Sequence, residues 1–139
     1  MTDVLFVRLE QRDKALHLCR WAQRFFDEGE PVLIRVEDDE QAQALDRYLW
    51  TFSKDAFLPH GCAVDQDDTL GQEPIVIVTA EENLNNATRL LLGAPCSLEF
   101  IACFPRAIDF AELYDADLAQ QSRQRFSSYR QAGFNPRMA

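Results

Sequence analysis

The chain has two histidines, and one of them, His60, stands two positions before Cys62. A thiol beside an imidazole is the pairing of a nucleophile with its general base. Two residues apart in a loop, however, the side chains need not face each other. No GxSxG or family-specific cysteine signature surrounds the pair. The competing reading is that His60 hydrogen-bonds the backbone after Pro59. The acidic run Asp65–Asp68 opens like a calcium loop, but glycine is missing at its sixth position and glutamate at its twelfth, so it reads as a solvated loop. The five glycines stand at 29, 61, 71, 93 and 133, the closest pair ten residues apart. Neither GxGxxG nor GxxxxGK[ST] can be written with that spacing, which excludes both glycine-rich ways of holding phosphate.

Two other constellations suit recognition better than catalysis. The stretch "LWTFSKDAFLPHG", residues 49–61, puts Trp50, Phe52, Phe57, Leu58 and Pro59 together without helical or strand period. It either folds back as a small core under a loop or presents a patch of the residue types that dominate protein–protein hot spots. Near the C-terminus, Arg123, Phe126, Ser127 and Arg130 are spaced to share one helix face, with Arg125 close by. Leu118, Ser122 and Tyr129 fall on an adjoining face that can pack inward. Arginines are favoured at a helix C-terminus by its dipole, but the dipole does not explain why residues 118–139 contain no acid at all. An aromatic ring among arginines can also grip an acidic peptide that ends in a hydrophobic side chain and a carboxylate.

Composition sets the frame for these sites. At 139 residues, with 47% hydrophobic and 27% charged residues, the chain is expected to be one globular domain over 1–139. No apolar run approaches the length of a membrane span, and the N-terminus lacks the pattern of a signal peptide, so the chain is read as cytoplasmic. The cysteines at 19, 62, 96 and 103 make no CxxC pair; reduced thiols, no metal and no cofactor are expected. The net charge is −9, of which residues 118–139 contribute +4, leaving −13 on residues 1–117. Such a body repels polyphosphate over most of its surface, so DNA is expected to be met only indirectly.

The positioning elements are legible as alternating strands and helices. Val4–Leu9 and Pro31–Val36 read as strands. Between them Ala15, Leu18, Cys19, Ala22, Phe25 and Phe26 recur at helical spacing, with Gly29 as the stop. Asp38 is placed to cap a helix through Trp50. Pro74–Ala80 is the clearest strand, residues 88–94 a shorter one, and Arg106–Leu113 another. Residues 96–104 suit a short helix as well as a strand. Asp115 or Asp117 opens a last helix to about Ala132, closed by Gly133. This order predicts an α/β fold: a single domain with a largely parallel central sheet, helices on both faces and no phosphate-binding loop.

The two recognition stretches also carry a family resemblance. "EPVLIRVEDDEQAQALDRYLWTFSKDAFLPHG" and "RFSSYRQAGFNP" resemble the chi subunit of bacterial DNA polymerase III, and the likeness runs in order from "DVLFVRL" to the C-terminus. Its specific parts are "ALDxxLW", "FLPH" and "RxRxxxYRxAGF". The resemblance implies a non-catalytic α/β protein of the clamp-loader assembly. It implies a psi subunit as partner at Trp50, Phe52, Phe57 and Pro59. It further implies that the acidic C-terminal tail of single-stranded DNA-binding protein (SSB) is held around Arg123, Arg125, Phe126, Ser127 and Arg130. Lysines known in the family at the positions of Ala119 and Ser127 are missing here. The alternatives are an SSB-tail-binding replication or repair adaptor without psi, and a stand-alone α/β enzyme using His60 and Cys62.

Overall fold

The computed structural model describes residues 1–54, 57–65 and 69–139; most of the calcium-like run, residues 66–68, lies outside them. The elements alternate as the apolar pattern predicts: β1 (Asp3–Leu9), α1 (Lys14–Asp27), β2 (Val32–Arg35), α2 (Asp39–Thr51), β3 (Gly61–Cys62), β4 (Ile75–Val78), β5 (Arg89–Leu92), α3 (Leu98–Ile101), β6 (Arg106–Glu112), α4 (Ala116–Gln131) and β7 (Asn135–Met138). They form a single α/β domain around one seven-stranded sheet in the order β3-β4-β2-β5-β6-β1-β7. Every pairing in it is parallel. A parallel sheet needs both faces covered, because its crossovers lay helices on it and its strands are apolar on both sides. Here Val32, Ile34, Ile75, Ile77, Ile108 and Phe110 pack with the Leu18, Phe25, Leu45 and Leu49 side chains of α1 and α2. Their strand neighbours Leu33, Val76, Leu90 and Ala107, with Val4 and Phe6, pack with Ile101 of α3 and Tyr129 of α4.

Local chemistry sets the boundaries. The Asp38 carboxylate caps α2 by accepting from Gln41 N–H at 2.9 Å, and Asp115 caps α4 by accepting from Asp117 and Leu118 N–H. The ambiguous segment 96–104 resolves as the short helix α3, because Ser97 Oγ accepts from Phe100 N–H at 3.2 Å and starts a turn that no strand partner competes for. Both long helices that precede strands on the α1 and α4 sides stop in the same way. Gly29 and Gly133 have φ of +76° and +85°, and the following residues, Glu30 and Phe134, return N–H bonds to Phe25 O and Tyr129 O. This reversal favours glycine, which alone has no Cβ penalty there.

Two strands were not foreseen. β3 is a two-residue pairing on β4. β7, containing Pro136, is an edge strand, where a missing N–H is tolerated. It lies against β1, tied at its ends by Asn135 N–H to Thr2 O at 2.9 Å and Ala139 N–H to Phe6 O at 2.8 Å.

β6 is the exception to the apolar strands, for it buries Asp109 and Glu112. Arg125 Nε donates to Asp109 Oδ2 at 3.0 Å, and Tyr129 Oη donates to the same oxygen at 2.7 Å. Lys14 Nζ donates to Glu112 Oε1 at 2.8 Å, and Tyr114 Oη donates to Oε2 at 2.5 Å. Burial pushes the Glu112 carboxyl up, but the Lys14 and Tyr114 hydrogen bonds outweigh it and hold the group below the usual carboxylate range. Burial likewise works against the Arg125 charge, and Asp109 more than restores it.

These pairs lead to two expectations. A carboxyl whose folded pKa is lowered stabilises the protein above its unfolded value of about 4.3, and that contribution is lost as pH falls through the lowered folded value. Glu112→Gln should therefore be less stable than wild type near neutral pH. Urea denaturation across acid pH should show the gap narrowing below about pH 4. Arg125→Ala strands a buried carboxylate and should cost about 3 kcal/mol. Arg123→Ala, on the exposed side of the same helix, should stay within about 0.5 kcal/mol of wild type. Denaturation midpoints of the two variants check this.

Candidate functional site

The hydrophobic stretch at 49–61 divides between core and surface. Leu49, Leu58 and His60 are buried, and Phe52 is half-buried, edge-on to Tyr48 at 6.4 Å. Trp50 and Phe57 remain 45% and 73% exposed, with ring centroids 5.2 Å apart. Pro59 is partly covered between the buried Leu58 and His60. His60 lies under the patch, 4.3 Å from the Trp50 ring. Its Nδ1 is 2.7 Å from Leu58 O, and its Nε2 is 3.0 Å from the Asp46 carboxylate. This clasp ties the loop to α2 and holds the two exposed rings in place.

The same geometry sets aside the enzyme reading. Both ring nitrogens of His60 already have partners, so neither is left to activate Cys62. The Cys62 thiol is buried and burial pushes its pKa up, the reverse of what a nucleophile needs. Cys19 is buried on α1, its pKa raised by burial to about 12. All four cysteines are free. Among the described residues no cluster of three or more His, Cys, Asp or Glu is placed to hold a metal ion. No helix there is long and apolar enough to cross a membrane.

The basic helix also divides. Ala119, Ser122 and Tyr129 face the sheet, and Phe126 lies half-buried along the same stripe, 5.4 Å from the Phe6 ring. Arg125, expected with the other cations, turns inward to Asp109. The low-dielectric interior makes that buried partner worth more than an exposed position, and the guanidinium also reaches Phe110 O at 3.0 Å. Arg123, Ser127 and Arg130 are exposed. Arg130 stacks its guanidinium over Phe126, 5.1 Å from the ring centroid, and Arg123 donates to Gln120 Oε1 at 2.9 Å. Arg137 parts from the group altogether. Strand alternation in β7 sends it toward Trp21 and Arg24 of α1, while Met138 faces α4.

Between α4 and the β1–β7 edge runs a groove of about 330 Å³. Phe6, Ala111, Ala119, Phe126 and Met138 make it apolar, and Arg8 and Arg123 border it. Phe6, Arg8 and Met138 carry no local signal in the sequence. They meet α4 only because β1 lies between β6 and β7. Strand alternation places Arg8 on the same face as Phe6, a clue that becomes readable once β1 is known to be covered by α4 on that face.

A crystal structure of the Prp28 RNA helicase from Chaetomium thermophilum bound to ADP overlaps 93% of this chain and 37% of the helicase chain, with a TM-score of 0.58 and 16% identity. That likeness speaks to the α/β fold alone. Sequence relatives are more specific. DNA polymerase III subunit chi of Escherichia coli K12 is 32% identical over 119 residues, covering 85% of this chain and 79% of the relative. The chi subunit of Pseudomonas aeruginosa is 28% identical over 140 residues, covering 96% and 93%. That of Haemophilus influenzae is 30% identical over 118 residues, covering 84% and 80%. Residues 1–137 match the family model described as DNA polymerase III chi subunit, HolC. The chain therefore belongs to the chi subunit family of DNA polymerase III, accessory subunits of the replicase and not themselves catalytic.

Proposed function

We propose that this chain is a cytoplasmic adaptor of bacterial DNA replication. A psi subunit would hold it to the clamp loader at the Trp50–Phe57 patch, and the groove beside α4 would hold the acidic C-terminal tail of SSB. The observation that supports the reading is the placement of two unlike surfaces. The aromatic patch hangs from α2 and its following loop, next to β3 and β4 at one edge of the sheet, whereas the groove lies along β1 and β7 at the other. Six strand spacings of about 4.8 Å separate those edges by roughly 29 Å. Two partners can therefore be held at once without competing for space, which is what a linker needs.

Each surface suits its proposed partner by chemistry. Trp50 and Phe57 offer rigid aromatic area without charge, the material of a hot spot. The groove offers an apolar trough for a terminal hydrophobic side chain, with cations for the carboxylates around it. On a body of −13, the cations of residues 118–139 favour an anion locally while the rest of the surface opposes bulk polyanions such as DNA. Arg123, Phe126 and Arg130 carry this role. Ser127 flanks them on the exposed face, and Arg125 acts from behind by fixing α4 to Asp109.

Calorimetric titration with an SSB tail peptide is expected to show binding that weakens as salt rises, since exposed charges are screened beyond about 8–10 Å. Arg123→Ala should lose roughly 1–3 kcal/mol of affinity, as expected for a charge-assisted hydrogen bond. Equal affinities for wild type and variant would overturn the tail reading. Trp50→Ala should lose about 2 kcal/mol or more of binding to co-expressed psi, with little change in melting temperature. Undiminished co-purification with psi would remove the patch from that interface.

A further inference from the structure

Of the two arginines bordering the groove, Arg8 is the one that the helix pattern cannot show. It stands on β1 opposite Ala111 of β6, on the same face as Phe6. β7 covers β1 only as far as Phe6, which pairs with Met138. Arg8 therefore projects where the edge strand has ended and the groove opens toward Leu113. It is exposed, and among the described residues it makes no ion pair or side-chain hydrogen bond that would hold its charge in place. Arg123 approaches the same trough from α4, but Gln120 already restrains its guanidinium. The two cations thus differ in freedom. They border an apolar floor made of Phe6, Ala111 and Phe126.

Resting on the reading of this groove as a tail site, we propose that Arg8 is a specificity residue. It pairs with the acidic side chains that precede the ligand's last residue, while Arg123 takes the terminal carboxylate. A restrained planar guanidinium is already organised for a carboxylate whose position the buried terminal side chain fixes, so little entropy is lost on pairing. Acidic side chains farther up the peptide are less closely registered, and a long unpaired arginine at the open end of the groove can follow them. The arrangement selects a ligand with negative charge ahead of its terminal hydrophobic residue.

The test is calorimetric titration of wild type, Arg8→Ala, Arg8→Glu and Arg123→Ala with three synthetic peptides. The first has aspartates before a C-terminal phenylalanine with a free carboxylate, the second is its amidated counterpart, and the third has the aspartates replaced by asparagine. Arg8→Ala should weaken binding of the first peptide by about two- to fivefold, the range for a pair at a solvated rim, and Arg8→Glu by more. The Arg8→Ala loss should persist with the amidated peptide and vanish with the asparagine peptide. The Arg123→Ala loss should do the opposite. Wild-type affinity in both Arg8 variants, or a loss that disappears on amidation, overturns the assignment to Arg8 while leaving the tail site standing. Failure of wild type to bind the first peptide overturns the tail site and this proposal together. Unchanged melting temperatures, expected for an exposed side chain, separate lost binding from lost structure.

Discussion

The buried carboxylate of Asp109 organises the half of the molecule that carries α4. It sits on β6 with its side chain almost wholly out of water, and an isolated charge there would be strongly unfavourable. Arg125 and Tyr129 of α4 satisfy it together, and its own oxygen also accepts from Phe110 N–H at 2.7 Å. Because Arg125 and Tyr129 lie one helical turn apart, the pair fixes both the rotation and the position of α4 over the sheet. That rotation puts Phe126 on Phe6 and leaves Arg123 and Arg130 outside. If α4 turned by one residue, the arginines would face apolar strands and the groove would have a different lining. An ion pair in the interior is weak evidence for net stability, but it specifies one arrangement of a helix that has little apolar face of its own.

The C-terminal ends of the strands, where open α/β sheets commonly place ligands, are occupied by the protein's own charges. Lys14 reaches across from α1 to Glu112 at the end of β6 and lies 3.4 Å from Gly93 O after β5. The backbone is tight at Gly93, where a Cβ would come within 2.7 Å of Arg35 O, but cavities of about 330 Å³ and 210 Å³ open on either side of Lys14, and charged side chains line the smaller one. With no glycine-rich loop to hold phosphate, the proposed recognition surfaces lie at the lateral edges of the sheet instead of its strand ends. The edges differ in chemistry. One presents paired aromatic rings supported by the His60–Asp46 clasp, and the other an apolar trough bordered by exposed cations. The −13 body between them contributes repulsion, which favours short acidic segments that can reach the local cations over extended polyanions.

What the sequence determined by itself was whatever depends on neighbouring residues or on absence. Apolar runs of strand length alternating with amphipathic helices specify a parallel α/β sheet, and Asp38, Asp115 and the glycines at 29 and 133 mark helix ends through bonds within a few positions. Five widely spaced glycines exclude phosphate loops without any coordinates. The aromatic patch was visible as composition, but whether it lay inside or outside was open, because that depends on which rings α2 and the loop can cover. Tertiary structure decided this by burying Leu58 and His60 and leaving Trp50 and Phe57 in solvent. It also decided that Arg125 points inward, since its partner Asp109 is 16 residues away on another element. The groove itself was beyond sequence reasoning, because β1 and β7 come from opposite ends of the chain and Arg8, Phe6 and Met138 become neighbours only when those strands pair. Local pattern encodes elements, whereas a binding surface is assembled from residues whose proximity exists only after the sheet has closed its long-range contacts.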